Sequence, residues 1–178
     1  MGTVRPEDIP HYTIEEYLLW EGNWELINGL PYAMTPAPVI EHQRISQKFA
    51  RLLDEQLDDC QQCHALLPVD WHIKEDTVVQ PDNLVVCYKP SGTHLTKAPT
   101  LIIEILSKST AKKDTVTKFH LYETEGVKYY IMVDPVDKVA RIYQNKDGKF
   151  IKLTDASDES VSFELGKCSI DIDFSRIF

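Results

Sequence analysis

Two acids stand where apolar strands ordinarily exclude charge. Asp82 lies in VVQPDNLVVC, residues 78–87, and Glu104 in PTLIIEILS, residues 99–107. Val79, Leu84 and Val85 surround the first acid; Leu101, Ile102, Ile103 and Ile105 crowd the second. An ionised carboxylate is costly to bury and persists when paired, hydrogen-bonded or metal-bound. Just beyond, LSKSTAKKDTVTK (106–118) carries Lys108, Lys112, Lys113 and Lys118. Two carboxylates and an ammonium group are the parts of a divalent-metal phosphodiesterase site. Mg2+ needs only one or two carboxylates beside water and substrate oxygens, and it polarises phosphate and acidifies water. A lysine positions or deprotonates that water and offsets the developing charge. Read singly, Asp82 is a strand-edge acid after Pro81 and Lys118 a solvated helix residue. The set, not any member, points to a site.

The surrounding pattern predicts the elements that position these residues. TIEEYLLWE (13–21) reads as a short helix with Thr13 as N-cap and Glu16 closing a capping box. Trp24 to Ile27 alternates as a strand, and Asn28-Gly29 is a two-residue hairpin signal before a return strand over 30–34. Ile40, Ile45, Phe49, Leu52, Leu53 and Leu57 form a helical stripe. Strands are expected at 65–74, 82–88 and 101–106, the last two nearly continuous in apolar residues, as for strands covered on both faces. A helix over 111–125, capped by Ser107, Ser109 and Thr110, stops at Gly126. In it Asp114 and Tyr122 stand four residues either side of Lys118 and share its face. Strands follow at 128–133, 139–144 and 149–153, with weaker strand character over 161–173. The order implies an α/β (α+β mixed) fold in one domain, 1–178: a central mixed sheet flanked by helices, an N-terminal hairpin and C-terminal antiparallel strands.

Composition narrows the function. With 43% hydrophobic and 26% charged residues the chain is an ordinary globular one. No run of about 18 uncharged apolar residues allows a membrane helix, and MGTVRPEDIPHYT has no apolar leader segment, so the cytoplasm is the expected location. A net charge of −9 argues against a protein that coats nucleic acid. It leaves open a nuclease whose acids recruit a metal while its lysines gather beside them.

The cysteines invite a different reading. Cys60-Gln61-Gln62-Cys63-His64 matches the attachment pattern of c-type haem. Haem attachment requires export, which the N-terminus does not signal. A zinc site wants four ligands, and no second C-x2-C or paired histidines follow. Cys87 and Cys168 read as isolated core thiols. The expectation is therefore two unremarkable cysteines in a helix-to-strand loop of a reducing cytosol, with neither haem nor zinc.

Taken in order, WELINGLPYAM (24–34), EHQRIS (41–46), QPDNLVV (80–86), PTLIIEILSKST (99–110) and DTVTKFHLYETEGVKYYIMVDP (114–135) resemble the Uma-type endonuclease family of the PD-(D/E)xK restriction-endonuclease-like superfamily. The resemblance covers nearly the whole chain. It implies an α/β restriction-endonuclease-like core and metal-dependent cleavage of DNA, with Mg2+ or Mn2+ as cofactor and a homodimer as the working unit. By position it implies Asp82 and Glu104 as metal carboxylates. The lysine of an E-x-K motif would fall at 106, which is Leu106. The resemblance therefore points to Lys118 on the following helix, with Lys108 as the other candidate. It also singles out Glu25, as a further carboxylate or a supporting hydrogen-bond partner, and His42. Beside these, Tyr122 is expected to pack and hydrogen-bond near the site. Glu25 equally reads as an exposed strand residue beside a turn, and His42 as a capping or packing residue. The competing functional reading is a catalytically inactive nuclease fold that acts as a nucleic-acid or protein interaction module.

Overall fold

The computed structural model describes Arg5, residues 8–34, 36–108 and 110–178. The chain opens with α1 (Ile14–Tyr17), then β1 (Trp24–Ile27), β2 (Leu30–Ala33) and the long α2 (Ile40–Leu57). Four short strands follow: β3 (His64–Leu66), β4 (Trp71–Lys74), β5 (Thr77–Val79) and β6 (Asn83–Val86). After β7 (Leu101–Ile105) comes a π-helix over Lys113–Lys118 that runs straight into α3 (Phe119–Thr124). The chain ends with β8 (Tyr129–Asp134), β9 (Val139–Lys146), β10 (Lys149–Ala156), β11 (Ser160–Glu164), β12 (Ser169–Asp173) and a 3-10 turn at Phe174–Arg176.

Six strands form the central sheet in the order β10-β9-β8-β7-β6-β3. Within it β7 and β8 pair in parallel and the other neighbours antiparallel. Parallel neighbours need a crossover, and the π-helix with α3 is that crossover. A second, antiparallel sheet has the order β2-β1-β5-β4, and β11 pairs with β12 in a separate hairpin. The mixed central sheet with helices on its faces is the restriction-endonuclease-like core that the sequence implied.

Strand pleating sends alternate side chains to opposite faces, and this sorts the core into two. Leu101, Ile103 and Ile105 of β7 join Ile131 and Val133 of β8 on one face, under Ile45, Phe49 and Leu53 of α2. Phe163, Ile170, Ile172 and Phe174 of the C-terminal hairpin close that side. Ile102 of β7 joins Leu84, Val86, Tyr130 and Met132 on the other face, with Trp71 and Tyr122. Glu104 has the parity of Ile102. It therefore points away from α2, toward the crossover helix.

Several local expectations need correction. The strand anticipated over 65–74 is two strands in different sheets, since Pro68 offers no N–H to a ladder and the chain turns there. Asp82 lies between β5 and β6, where Gln80 and Pro81 interrupt the apolar run, rather than inside a strand. The N-terminal helix is shorter than 13–21, although the Glu16 carboxylate does accept the Thr13 N–H at 2.9 Å. Ile40 is 79% exposed at the first turn of α2, outside the stripe made by Ile45, Phe49, Leu52, Leu53 and Leu57. Ser107 Oγ accepts the Thr110 N–H at 3.2 Å, in keeping with a cap, while Ser109 lies outside the described residues. The tail over 161–173 is a full hairpin whose apolar side seals the core under α2.

The cysteines depart furthest from expectation. Cys87 and Cys168 are not isolated thiols: Cys60 pairs with Cys168 and Cys63 with Cys87. The β3–β6 register sets His64 opposite Val86, so the next position outward sets Cys63 opposite Cys87. The C-terminal hairpin then brings Cys168 across 108 residues of chain to Cys60.

Candidate active site

The hairpin of β1 and β2 turns at Asn28 and Gly29, both with positive φ (50° and 75°), the type I′ geometry that matches strand twist. This tight turn seats β1 between β2 and β5. Glu25, Leu26 and Ile27 are consequently all buried. Glu25 is thus no exposed strand residue: it is 0% exposed, and its Oε1 accepts the Gln80 N–H at 2.8 Å.

The other acids come from the central sheet. β6 and β7 pair with Asn83 opposite Ile103. Extending that register by one position sets Asp82 opposite Glu104. Directly opposed residues have Cβ atoms about 5 Å apart, so the two carboxylates open into one small volume. Asp82 Oδ2 is fixed by the Ile105 N–H at 2.8 Å and by His42 Nε2 at 3.0 Å. His42 stands in the first turn of α2, which is how the long helix reaches the site.

Lys118 closes the cluster from the crossover. Its Nζ donates to Glu25 Oε1 at 2.7 Å and Glu104 Oε1 at 2.8 Å, and lies 3.7 Å from Asp114 Oδ1. Tyr122, one α-helical turn on, donates its hydroxyl to the same Glu104 Oε1 at 2.7 Å. Tyr130 supports the helix from β8 by donating to the Asp114 carbonyl at 2.9 Å. Lys113 holds the remaining oxygen of Glu25, Oε2, at 2.5 Å. It also lies over the Tyr32 ring at 5.5 Å.

The structure therefore unites Asp82, Glu104, Lys118, Glu25, His42 and Tyr122, and it leaves Lys108 out. Lys108 is exposed in the turn after β7, and Lys112 is exposed as well. Of the four lysines expected to gather as a basic face, two are consumed by buried ion pairs. Lys113 and Asp114 are the members that sequence reasoning had not assigned to the site. No local signal marked Lys113, because an α-helix would not bring residues five apart to one partner.

Electrostatics single out Glu104. Burial pushes its carboxyl well above the usual range; Lys118 opposes this, while Asp114, Asp82 and Glu25 add to it. Burial likewise raises Asp114, against Lys118 and Thr110. Glu25 shows the reverse balance: burial pushes it up, but Lys118 and Lys113 outweigh burial and hold it below the ordinary value. Burial alone would disfavour the Lys118 ammonium, yet Glu104, Glu25 and Asp114 hold its pKa well above that of a free lysine. Four carboxyl groups thus face three cationic side chains: Glu25, Glu104 and Asp114 share Lys113 and Lys118, and Asp82 pairs with His42. The centre is short of positive charge, and oxygen donors at a charge-deficient centre are what a hard divalent cation takes.

The site is thus a mixed sheet with one parallel pair, crossed by a helix that delivers a lysine to sheet-borne acids. The chain belongs to the Uma2 family, whose model, described as "Putative restriction endonuclease", matches residues 14–167. That span includes every residue of the cluster. Among curated proteins it is 30% identical over 160 residues to "Uncharacterized protein slr1290" of Synechocystis sp., covering 84% of this chain and 83% of the relative. Among solved structures it is similar to "a putative nuclease belonging to DUF820" from Anabaena variabilis, with a TM-score of 0.78 and 17% identity. That likeness covers 94% of this chain and 97% of the other, and at such identity it is one of fold. No helix among the described residues is long and apolar enough to cross a membrane.

Proposed function

We propose that the chain is a metal-dependent endonuclease hydrolysing DNA phosphodiester bonds, within one nuclease-like domain spanning the chain. The observation that carries this reading is the buried excess of carboxylate over ammonium where Asp82 faces Glu104. Asp82 and Glu104 would hold Mg2+ or Mn2+, with Glu25 anchoring the lysines rather than the ion. When bound, the ion supplies a polarised phosphate and a water of lowered pKa.

The remaining work falls to the chain's own groups. Lys118, kept charged by its carboxylates, acts as an ammonium that stabilises developing negative charge and orients the attacking water; it is not poised to accept a proton. Tyr122 holds Glu104 in place, and the Ile105 N–H and His42 hold Asp82. Asp82 is the more open of the two acids, its side chain 18% exposed against 3% for Glu104. The scissile phosphate therefore approaches at the Asp82–His42 edge. On this reading the protein would act on DNA in the cytoplasm, and a homodimer would present two sites to two strands.

A second reading has one observation in its favour. Lys118 and Glu104 are almost wholly buried and already satisfied by protein, as in an ion network that only maintains a fold, which would leave an inactive interaction module. Supercoiled plasmid incubated with the protein in Mg2+, in Mn2+ or in chelator decides between them. Nicking that requires the ion and disappears in Asp82→Ala supports the nuclease. A folded wild type that nicks in neither metal supports the module.

A further inference from the structure

Three of the four cysteines meet at one place, and the fourth, Cys87, is bonded to one of them. The Sγ atoms of Cys60, Cys63 and Cys168 all lie within 4.8 Å of one another. Cys87 adds its own, bonded to Cys63. Two independent disulfides need no such convergence. Each links only its own pair, whereas here Cys60 and Cys63, from different pairs, stand in a C-x2-C turn with both partners drawn in around them. In tetrahedral Zn–S4 geometry with Zn–S of about 2.3 Å the sulfurs are about 3.8 Å apart. The spread of Cys60, Cys63 and Cys168 is compatible with that spacing, and Cys87, held beside Cys63 by its disulfide, completes the set once that bond is reduced and its side chain turns inward.

The positions are those of a clasp. Cys60 follows α2, its N–H donating to the Leu57 carbonyl at 2.9 Å. Cys63 leads into β3, Cys87 follows β6, and Cys168 leads into β12. Cys63 Sγ is 3.6 Å from the Leu165 carbonyl of the β11–β12 turn, which folds over the group. α2 and β6 both run from the acidic centre to this cluster, α2 from His42 to Cys60 and β6 from Asp82 to Cys87. With a rise of about 3.3 Å per residue, the five steps from Asp82 to Cys87 separate the two by roughly 17 Å. The cysteine cluster thus stands apart from the carboxylate site.

We propose that, once reduced, Cys60, Cys63, Cys87 and Cys168 form a structural Zn2+ site, and that the two disulfides and the zinc-bound form are alternative states of one cluster. Conversion balances simply. A water-soluble phosphine reduces each disulfide to two thiols, taking an oxygen atom from one water molecule to become its oxide. Zn2+ then binds as four thiols give up four protons. The ion ties the C-terminal hairpin to α2 and to the sheet edge, the function the disulfides serve in the oxidised chain. The expectation of no zinc site counted ligands along the chain; in this proposal Cys87 and Cys168 supply in space the two that the C-x2-C motif lacks.

The test uses the full chain, reduced with phosphine, desalted without oxygen and loaded with Zn2+ or Co2+. We expect one Zn2+ retained per chain through gel filtration at the cysteine site. The Co2+ form should show the thiolate-to-metal charge transfer and tetrahedral ligand-field bands of sulfur coordination, which an ion at the carboxylate site does not produce. Cys87→Ser and Cys168→Ser should each weaken these bands, and bound Zn2+ should protect the cysteines from a thiol reagent. A reduced wild type that stays folded by circular dichroism but shows no thiolate bands overturns the proposal. Bands unchanged in both serine variants overturn it equally, because two of the four ligands would then be idle.

Discussion

Lys113 and Lys118, five residues apart, grip the same carboxylate, donating to Oε2 and Oε1 of Glu25. In an α-helix of 3.6 residues per turn they would stand about 1.4 turns apart and face different ways. The π-helix over Lys113–Lys118 bonds five residues ahead and stacks them on one side. The unusual turn therefore has a tertiary cause: it aims two ammonium groups at a single buried acid on β1.

Glu25→Gln removes the charge that both lysines share. Breaking a buried ion pair from one side costs about 3–5 kcal/mol. Urea denaturation should show a loss of that order, and circular dichroism a weaker helical signal. A loss below about 1 kcal/mol would mean that Glu25 does not anchor the lysines.

The two candidate lysines separate cleanly. Lys118→Met should abolish plasmid nicking and lower stability by several kcal/mol, because Glu104, Glu25 and Asp114 lose their common cation. Lys108→Ala, at an exposed turn, should leave stability within about 0.5 kcal/mol and nicking unchanged. Loss of nicking in Lys108→Ala with retained fold would move the catalytic role to Lys108.

His42 offers a pH test. Burial opposes its charged form, but the hydrogen bond and charge of Asp82 prevail and raise its pKa above the ordinary value. A raised folded-state pKa means that the pair stabilises fully below the unfolded value of about 6.5. That stability is lost as pH rises through the folded value. An NMR titration should find His42 above a free histidine and Asp82→Asn should lower it. An unshifted His42 in the wild type would contradict the contact.

Much of this centre was readable in the chain, for a physical reason. Glu104 is conspicuous because four aliphatic neighbours leave a carboxylate no innocent place, and Asp82 precedes an equally apolar strand. Lys118, Asp114 and Tyr122 were linked by helical spacing. What escaped notice depends on contacts between distant segments. The π-turn is set by Glu25, 88 residues before Lys113, and a continuous helix over 111–125 was the natural local reading. The cysteine cluster joins residues 24 and 108 apart, which no local motif announces. Pro68 did mark the break between β3 and β4, but the apolar residues around it masked the change of sheet.

Charge deficiency at Glu104 predicts proton release. Burial holds its carboxyl well above the usual range, and a divalent cation bound there favours the ionised form. Calorimetry of Mg2+ binding in buffers of different ionisation enthalpy should therefore report net proton release. Asp82→Ala should lose the binding heat. Binding with no proton exchange would show that Glu104 is already ionised.

The most direct test of the central claim compares wild type with Glu104→Gln, which keeps the shape of the side chain and removes its charge. Both proteins are incubated with supercoiled plasmid in Mg2+ and in Mn2+, after circular dichroism confirms that both are folded. The account predicts nicking by the wild type and a loss of at least about 100-fold in the variant. Equal rates would contradict the assignment of Glu104, and a folded wild type inert on duplex, nicked and single-stranded DNA would contradict the nuclease itself.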